Sequence, residues 1–139
     1  MRKPQVLCVD DLPEHLQLRM EVLRSLGCDA VQAHDHESAM RVVADRDIDL
    51  CITDYHLQNG ETGEDIARDL RIVRPRAALI LFTGDPEIAP SVRKSFDAVL
   101  IKGQAGALAL RKVIENLLSD TRIRCTGLRY KQPPTLYSL

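Results

Sequence analysis

Short apolar segments of this sequence end, at four points along the chain, on polar residues of reactive types. In chain order these residues are Asp10 and Asp11, then Asp54, then Thr83, and finally Lys102. If folding brings them together, three carboxylates, a hydroxyl and an ammonium share one site. Such a site would hold a cation beside an anionic group, with a carboxylate available as a nucleophile.

The three carboxylates favour a divalent cation. Without one they repel each other when packed together, and at least one of them would take up a proton. Hard oxygen ligands suit Mg²⁺, which uses few carboxylates in proteins and completes its shell with water and phosphate oxygens. The cation would therefore favour an incoming phosphoryl group. Asp54 would be the nucleophile that forms an aspartyl phosphate, with Lys102 and Thr83 contacting the phosphoryl oxygens.

Four of these five residues also have a plainer interpretation. Asp11 and Glu14 match a helix-capping box that contains a proline near the first helical position. Thr83 opens a Thr-Gly-Asp-Pro sequence that is typical of a turn. Lys102 and Asp54, each taken alone, could be solvated loop residues. The position of all five at the ends of successive apolar segments is what favours a shared site.

Predicted strands and predicted helices alternate between these residues. Short continuous apolar runs predict strands at residues 6–9, 30–33, 50–53, 78–82 and 98–101. Helical periodicity and capping residues predict helices at 13–26, after Asp35, after Thr62 and at 105–118. Pro90 interrupts the segment that follows residues 85–87, so the fourth helix is expected to be small or irregular.

This alternation predicts an α/β fold with a parallel sheet and helices on both faces. We expect a five-stranded parallel sheet of order 2-1-3-4-5, the flavodoxin-like doubly wound arrangement. The ligand crevice of such a sheet lies beyond the carboxyl ends of the strands, where the strand order reverses. Strands 1 and 3 are neighbours there, so Asp10, Asp11 and Asp54 are expected to converge.

The composition is that of one globular domain. The chain has 139 residues, 45% of them hydrophobic, and its formal net charge of −1 gives no overall field that favours nucleic acid or an acidic membrane. No apolar run is long enough for a membrane span or a signal peptide, so a soluble, cytoplasmic protein is expected. The four cysteines lack C-x-x-C and zinc spacing, and Cys8 and Cys51 are expected to act as buried apolar side chains.

The chain is divided into a domain over residues 1–120 and a C-terminal tail over residues 121–139. The tail has four basic residues, no acidic ones and two adjacent prolines. Little regular structure and mobile last residues are expected of it. Its basic cluster lacks a scaffold, so direct DNA binding is not expected.

With these residues in place, the sequence resembles the receiver domains of response regulators in two-component, histidine–aspartate phosphorelay systems. The resemblance covers about residues 4–119, and residues 54–63 are especially similar to receivers at the C-terminus of hybrid histidine kinases. It implies that a histidine kinase or a histidine phosphotransfer protein donates a phosphoryl group to Asp54. It also implies an Mg²⁺ site, with the ligands Asp10, Asp11, Asp54 and the backbone carbonyl of His56.

The resemblance further implies that Thr83 and Lys102 bind the phosphoryl oxygens and report the change in phosphorylation state. The side chains of His56 and Asp85 are implied to tune the rate of dephosphorylation.

Three positions depart from the pattern of many receivers. Gln58 and Gly103 replace prolines, the second of them directly after the lysine. Val99 occupies the position at which many receivers have a tyrosine or phenylalanine that rotates on activation. The relay through helix 4, strand 5 and helix 5 is therefore expected to be altered.

The expected function is that of a phosphoacceptor signalling module, which is not an enzyme beyond its own phosphorylation and dephosphorylation. It would switch the binding of a downstream protein target, and the apolar residues of helix 5 are compatible with a homodimer through helix 4, strand 5 and helix 5. A competing hypothesis is a receiver-like interaction module that works without phosphorylation.

Two enzyme or cofactor-binding functions fit the sequence less well. An aspartyl-phosphate phosphohydrolase needs Asp-x-Asp after strand 1, where this chain has Asp10, Asp11 and Leu12. A flavodoxin-type flavin site is also a poor fit, because the turn after strand 1 lacks the small hydroxyl and glycine residues that cradle a phosphate.

Overall fold

The computed structural model describes residues 2–103 and 106–119 together with a strand at residues 135–137. The strands are β1 (Gln5–Val9), β2 (Asp29–Ala33), β3 (Leu50–Asp54), β4 (Ala78–Thr83), β5 (Ala98–Ile101) and β6 (Thr135–Tyr137). The helices are α1 (Pro13–Ser25), α2 (His36–Asp45), α3 (Gly63–Val73), α4 (Pro90–Arg93) and α5 (Ala107–Ser119).

All strands pair in parallel, in the order β2-β1-β3-β4-β5-β6. The predicted five-stranded order 2-1-3-4-5 is therefore confirmed, and β6 extends it. The expectation of little regular structure after residue 120 does not hold at residues 135–137, which pair with β5. A strand at a sheet edge has unpaired backbone groups, and an extended segment can satisfy them. The other tail residues, including the last two, lie outside the described residues.

The sheet has an apolar cluster on each face. One cluster packs β-strand residues against α1 and α5, through side chains such as Leu16, Leu23 and Ile114. The other packs the sheet against α2, α3 and α4, through side chains such as Val43 and Ile66. Both faces of the central strands are buried, which explains why those strands are continuously apolar in the sequence.

The predicted starts of α1, α2 and α3 are confirmed, but only α2 and α3 have a side-chain cap. The Asp35 side chain accepts a hydrogen bond from the Ser38 N–H at the start of α2, and Thr62 caps α3. The capping box whose spacing Asp11 and Glu14 match, the plainer interpretation of Asp11, is not formed. Leu12 is the N-cap residue of α1 and makes no side-chain cap bond, while the following proline occupies the first turn. Asp11 is instead part of an acidic cluster, described below.

The fourth helix is short, as expected, but its proline has a different role. Pro90 is the first residue of α4 and begins the helix rather than interrupting it. A proline is tolerated at this position because the N–H that it lacks would have no helical partner. In α3, Ile66 and Leu70 are buried, whereas Val73 is 45% exposed because the helix ends there.

Within the described part of the chain, no helix combines the length and the apolar composition that a membrane span needs. Cys8 and Cys51 are fully buried, as predicted. Burial raises the pKa of the Cys8 thiol to about 12 and also raises that of Cys51, so both remain protonated at neutral pH.

Gly103 provides a test of the loop that follows β5. Its φ of +83° lies in the left-handed region, which excludes the proline that receivers usually have there. Gly103→Ala is expected to lower the free energy of unfolding by about 1–2 kcal/mol through backbone strain, and Gly103→Pro by more. Urea unfolding of both variants measures the effect.

Gly84→Ala is the matched control, because no atom lies within 4 Å of the position of the added Cβ. Its stability should stay close to that of the original protein. A Gly103→Pro variant of unchanged stability would show that the loop adopts another conformation in solution.

Candidate functional site

The predicted acidic cluster forms at the carboxyl ends of two neighbouring strands. Asp10 follows β1 directly, and Asp54 is the last residue of β3, which pairs with β1. One carboxylate oxygen from each of Asp10, Asp11 and Asp54 lies within 4.8 Å of the others. The convergence follows from the parallel order, since the two strands end at the same edge of the sheet.

Asp10 is the most enclosed member, with a fully buried side chain. Its Oδ1 accepts a hydrogen bond from the Leu12 N–H at 3.0 Å, and its Oδ2 lies 2.8 Å from Arg19 Nη2 and 3.6 Å from Lys102 Nζ. Burial alone would raise the pKa of this carboxyl. The Leu12 N–H and the two nearby cations outweigh burial and hold the pKa below its usual value. Asp10 is therefore a carboxylate whose charge the protein itself compensates.

Asp54 lies at the open side of the cluster, and its side chain is 13% exposed. Its Oδ2 is 3.0 Å from Lys102 Nζ, and its Oδ1 accepts a hydrogen bond from the Tyr55 N–H at 2.8 Å. The ammonium of Lys102 thus links the ends of β3 and β5. A partly exposed carboxylate with a fixed cation beside it can receive an anionic group whose new charge the cation would offset.

Thr83 ends β4 and is 1% exposed. Its carbonyl accepts a hydrogen bond from the Lys102 N–H at 2.7 Å, so the backbone joins the two phosphoryl-binding candidates directly. Its hydroxyl accepts from the Asp85 N–H at 3.2 Å. The Asp85 carboxylate in turn accepts from the Glu87 N–H at 2.9 Å, which stabilises the turn after β4.

The loop after Asp54 leaves the backbone of His56 available. Tyr55 O accepts from the Gly63 N–H, and Leu57 N–H donates to Glu61 O, which forms a short bridge around His56. These two bonds do not use the His56 carbonyl. The exposed His56 ring contacts the Tyr55 ring edge-on, with the ring centroids 4.8 Å apart. Val99 is buried in the core beneath α4, so this position holds a packed aliphatic side chain instead of a mobile aromatic one.

The donor set fits Mg²⁺. All the candidate side-chain ligands are hard carboxylate oxygens, and a fourth oxygen is available from the backbone after β3. Within the described part of the chain, Asp11 makes no hydrogen bond or ion pair, so its oxygens are free for a cation. Asp54 and Asp11 present the more accessible oxygens, and Asp10 is already engaged by Arg19 and Lys102.

Sequence reasoning missed two residues that shape this site. A Cβ on Gly63 would lie 2.4 Å from the backbone oxygen of Asp54, so only glycine lets α3 begin so close to the end of β3. Arg19 reaches Asp10 from α1 although its helical position gave no signal of this. The spacing of Asp54 and Gly63 could have hinted at the first contact, but contacts between elements have no local signature.

Comparison with known proteins agrees with this geometry. The family profile of the response regulator receiver domain matches residues 6–102. The chain is 23% identical over 134 residues to the sensor protein GacS of Pseudomonas syringae pv. syringae, and this match covers 95% of the chain but only 14% of the length of GacS.

Two solved structures show the same fold. The signal receiver domain of an HD domain-containing protein from Pseudomonas fluorescens Pf-5 is 26% identical, with a TM-score of 0.72 over 88% of this chain and 94% of that one. The response regulator protein TrrA from Thermotoga maritima, in complex with Mg²⁺-BeF, is 24% identical, with a TM-score of 0.74 over 82% and 98% of the two chains. From its family match, its sheet order and its acidic crevice, this chain belongs to the response regulator receiver domain family of two-component signalling systems.

Proposed function

We propose that the protein is a phosphoacceptor module that receives a phosphoryl group on Asp54, in the presence of Mg²⁺, from a histidine kinase or a histidine phosphotransfer protein. The observation that carries the proposal is the arrangement around Asp54. Its carboxylate lies 3.0 Å from the Lys102 ammonium and within one cluster with Asp10 and Asp11. A nucleophile, a cation-binding oxygen set and a fixed positive charge are thus present together.

In the proposed step, an Asp54 carboxylate oxygen forms a bond to phosphorus, and the bond from phosphorus to the donor's imidazole nitrogen breaks. The electron pair of that bond leaves with the nitrogen. Mg²⁺ would neutralise the charge on the phosphoryl oxygens and would be held by Asp11, Asp54, Asp10 and the His56 carbonyl. Lys102 would move from the free carboxylate to a phosphoryl oxygen, and the Thr83 hydroxyl would donate to another.

The names of two relatives support a signalling role and the metal. GacS is a sensor protein, and TrrA was crystallised with magnesium and a beryllium fluoride. We propose that His56 and Asp85 tune the lifetime of the acyl phosphate, since each lies two residues beyond a proposed reacting or phosphoryl-binding residue. The donor is an ATP-dependent kinase or its relay partner, so the proposal places the protein in the cytoplasm.

We further propose that phosphorylation changes the binding of a downstream protein target. A homodimer through α4, β5 and α5 remains a prediction. β6 pairs with β5, so such a dimer would have to use the helices or displace β6. Since Val99 is buried and aliphatic, no aromatic rotation at this position accompanies the switch.

Val99 and Gly103 also favour a second candidate function, a receiver-like module whose interactions do not depend on phosphorylation. If this second function is correct, substitution of Asp54 should leave the affinity for the partner unchanged.

The proposal is tested with acetyl phosphate and MgCl₂, by measuring phosphoryl incorporation with intact-mass spectrometry and binding of beryllofluoride by ¹⁹F NMR. We expect one phosphoryl group per chain, complete loss of incorporation in Asp54→Asn, and complete loss on chelation of Mg²⁺ with EDTA. Asp45→Asn, at an exposed carboxylate at the end of α2, should behave like the original protein. Incorporation that persists in Asp54→Asn, or that does not need Mg²⁺, would contradict the proposal.

A further inference from the structure

Arg19 is a buried cation that the phosphoacceptor chemistry does not itself require. Its side chain is 4% exposed, and its Nη2 donates to Asp10 Oδ2 at 2.8 Å. Arginine is almost never buried unless it is paired. Its partner here is a carboxylate of the acidic cluster, so the pair belongs to the site rather than to the apolar core of α1.

A second contact fixes the guanidinium in place. Its central carbon lies 4.4 Å from the centroid of the Phe82 ring, within the range of a cation–π interaction. Phe82 precedes Thr83 on β4 and is in register with Asp54 on β3. Arg19 therefore connects α1 with the end of β1, through Asp10, and with β4, through Phe82. β4 is the strand that pairs with β3 beside Asp54.

The position of Arg19 carries an energetic cost that its own contacts do not remove. Its Nη1 is buried and has no hydrogen-bond partner within the described residues. An unsatisfied buried donor on a charged group is unfavourable. An apolar side chain would avoid that cost, so the feature that distinguishes arginine here is its charge.

The charge has a direct effect on the cluster. Asp10 Oδ2 faces Arg19 at 2.8 Å, His15 at 3.3 Å and Lys102 at 3.6 Å, whereas Asp11 has no such partner within the described part of the chain. The three carboxylates therefore differ in how much of their negative charge is already offset by protein cations when a metal ion binds. Asp10 is compensated from inside the protein before any cation arrives.

We propose that Arg19 is a positioning residue that serves as the internal counter-ion of Asp10, competes with Mg²⁺ for it, and keeps the metal-free pocket folded. The inference rests on the proposed function in that it takes Mg²⁺ as the cation of this site. Asp54 is partly compensated by Lys102, so Asp11 is then the carboxylate that responds most to the metal, and Arg19 sets how weakly the metal is held.

Removing Arg19 should therefore tighten Mg²⁺ binding. A unit charge a few ångströms from a partly buried cation site changes its affinity by about tenfold or more at the effective dielectric of protein sites. The same substitution leaves Asp10 buried without its nearest counter-ion, so the metal-free protein should lose stability. Bound Mg²⁺ should restore that stability.

The experiment uses the full chain and measures Mg²⁺ affinity by isothermal titration calorimetry and thermal unfolding in EDTA and in saturating MgCl₂. Arg19→Met should lower the Mg²⁺ dissociation constant by about tenfold, lower the unfolding temperature in EDTA, and show a larger rise on adding Mg²⁺. Arg19→Lys, which keeps the charge, should stay close to the original affinity. Arg24→Met, at an exposed arginine of the same helix, is the control and should change neither quantity.

The outcomes separate this inference from the proposed function. If the original protein binds no Mg²⁺, the proposed function fails. If it binds Mg²⁺ and Arg19→Met binds it equally well or more weakly, only the role of Arg19 is overturned. If Arg19→Met is unfolded in EDTA, refolding on addition of MgCl₂ supports the inference, and failure to refold at saturating MgCl₂ overturns it.

Discussion

Replacing Lys102 with methionine should slow Mg²⁺-dependent phosphoryl transfer from acetyl phosphate by about a hundredfold or more, the usual effect of removing one fixed donor from a developing negative charge. In the structure Lys102 Nζ is 3.0 Å from Asp54 Oδ2 and 3.6 Å from Asp10 Oδ2. The backbone of Lys102 is also fixed by the hydrogen bond from its N–H to the Thr83 carbonyl. Methionine retains the unbranched side chain, one atom shorter, but provides no charge.

The substitution should also tighten Mg²⁺ binding, because it removes a cation from beside two carboxylates of the cluster. Slower transfer together with tighter metal binding distinguishes this variant from one that is merely unfolded. The rate is measured by intact-mass spectrometry over time and the affinity by calorimetry. Lys112→Met, at an exposed lysine of α5, is the control. A transfer rate close to that of the original protein would show that the Lys102 ammonium does not contact the phosphoryl group.

Replacing Gly63 with alanine should lower the free energy of unfolding by about 3 kcal/mol, near the upper end of the range for overpacked sites. The added Cβ would lie 2.4 Å from the Asp54 carbonyl oxygen and 3.1 Å from Thr53 Cγ2. The nearest of these atoms belongs to the backbone, which cannot rotate away as a side chain can. Either the end of β3 or the start of α3 must shift.

A shift at this point moves Asp54, the proposed phosphoacceptor, so Gly63→Ala should also weaken Mg²⁺ binding. Urea unfolding measures the stability, and calorimetry measures the affinity. Gly106→Ala is the matched control because no atom lies within 4 Å of the added Cβ, and its stability should change by no more than about 0.5 kcal/mol. Equal stability of the two alanine variants would show that α3 has room to move away from β3.

The strands and the five polar residues at their ends were predictable because both are encoded locally. Buried parallel strands need continuous apolar residues, and the point at which this pattern stops marks the strand end. The parallel order then places the ends of β1 and β3 side by side, which is how Asp10 and Asp54 could be paired from the sequence. The caps of α2 and α3 were predictable for the same reason, since Asp35 and Thr62 bond to residues three positions further along the chain.

Local patterns misled where the same short sequence is compatible with more than one structure. Asp11 and Glu14 have the spacing of a capping box, yet the first turn of α1 has no side-chain cap and Asp11 joins the acidic cluster. Pro90 has the form of a helix breaker but begins α4. In each case more than one structure is compatible with the local sequence, and packing selects one of them.

The sequence by itself determined the alternation of strands and helices and the polar residues at the strand ends, because both depend on residue type and short-range spacing. Only the tertiary structure decided which charged groups neutralise one another and which strand covers the edge of the sheet. Arg19 pairs with Asp10 across nine positions of the chain, Lys102 reaches Asp54 from another strand, and β6 completes the edge of β5. Such contacts depend on distances between elements, and electrostatic energy depends on those distances and on burial rather than on order along the chain.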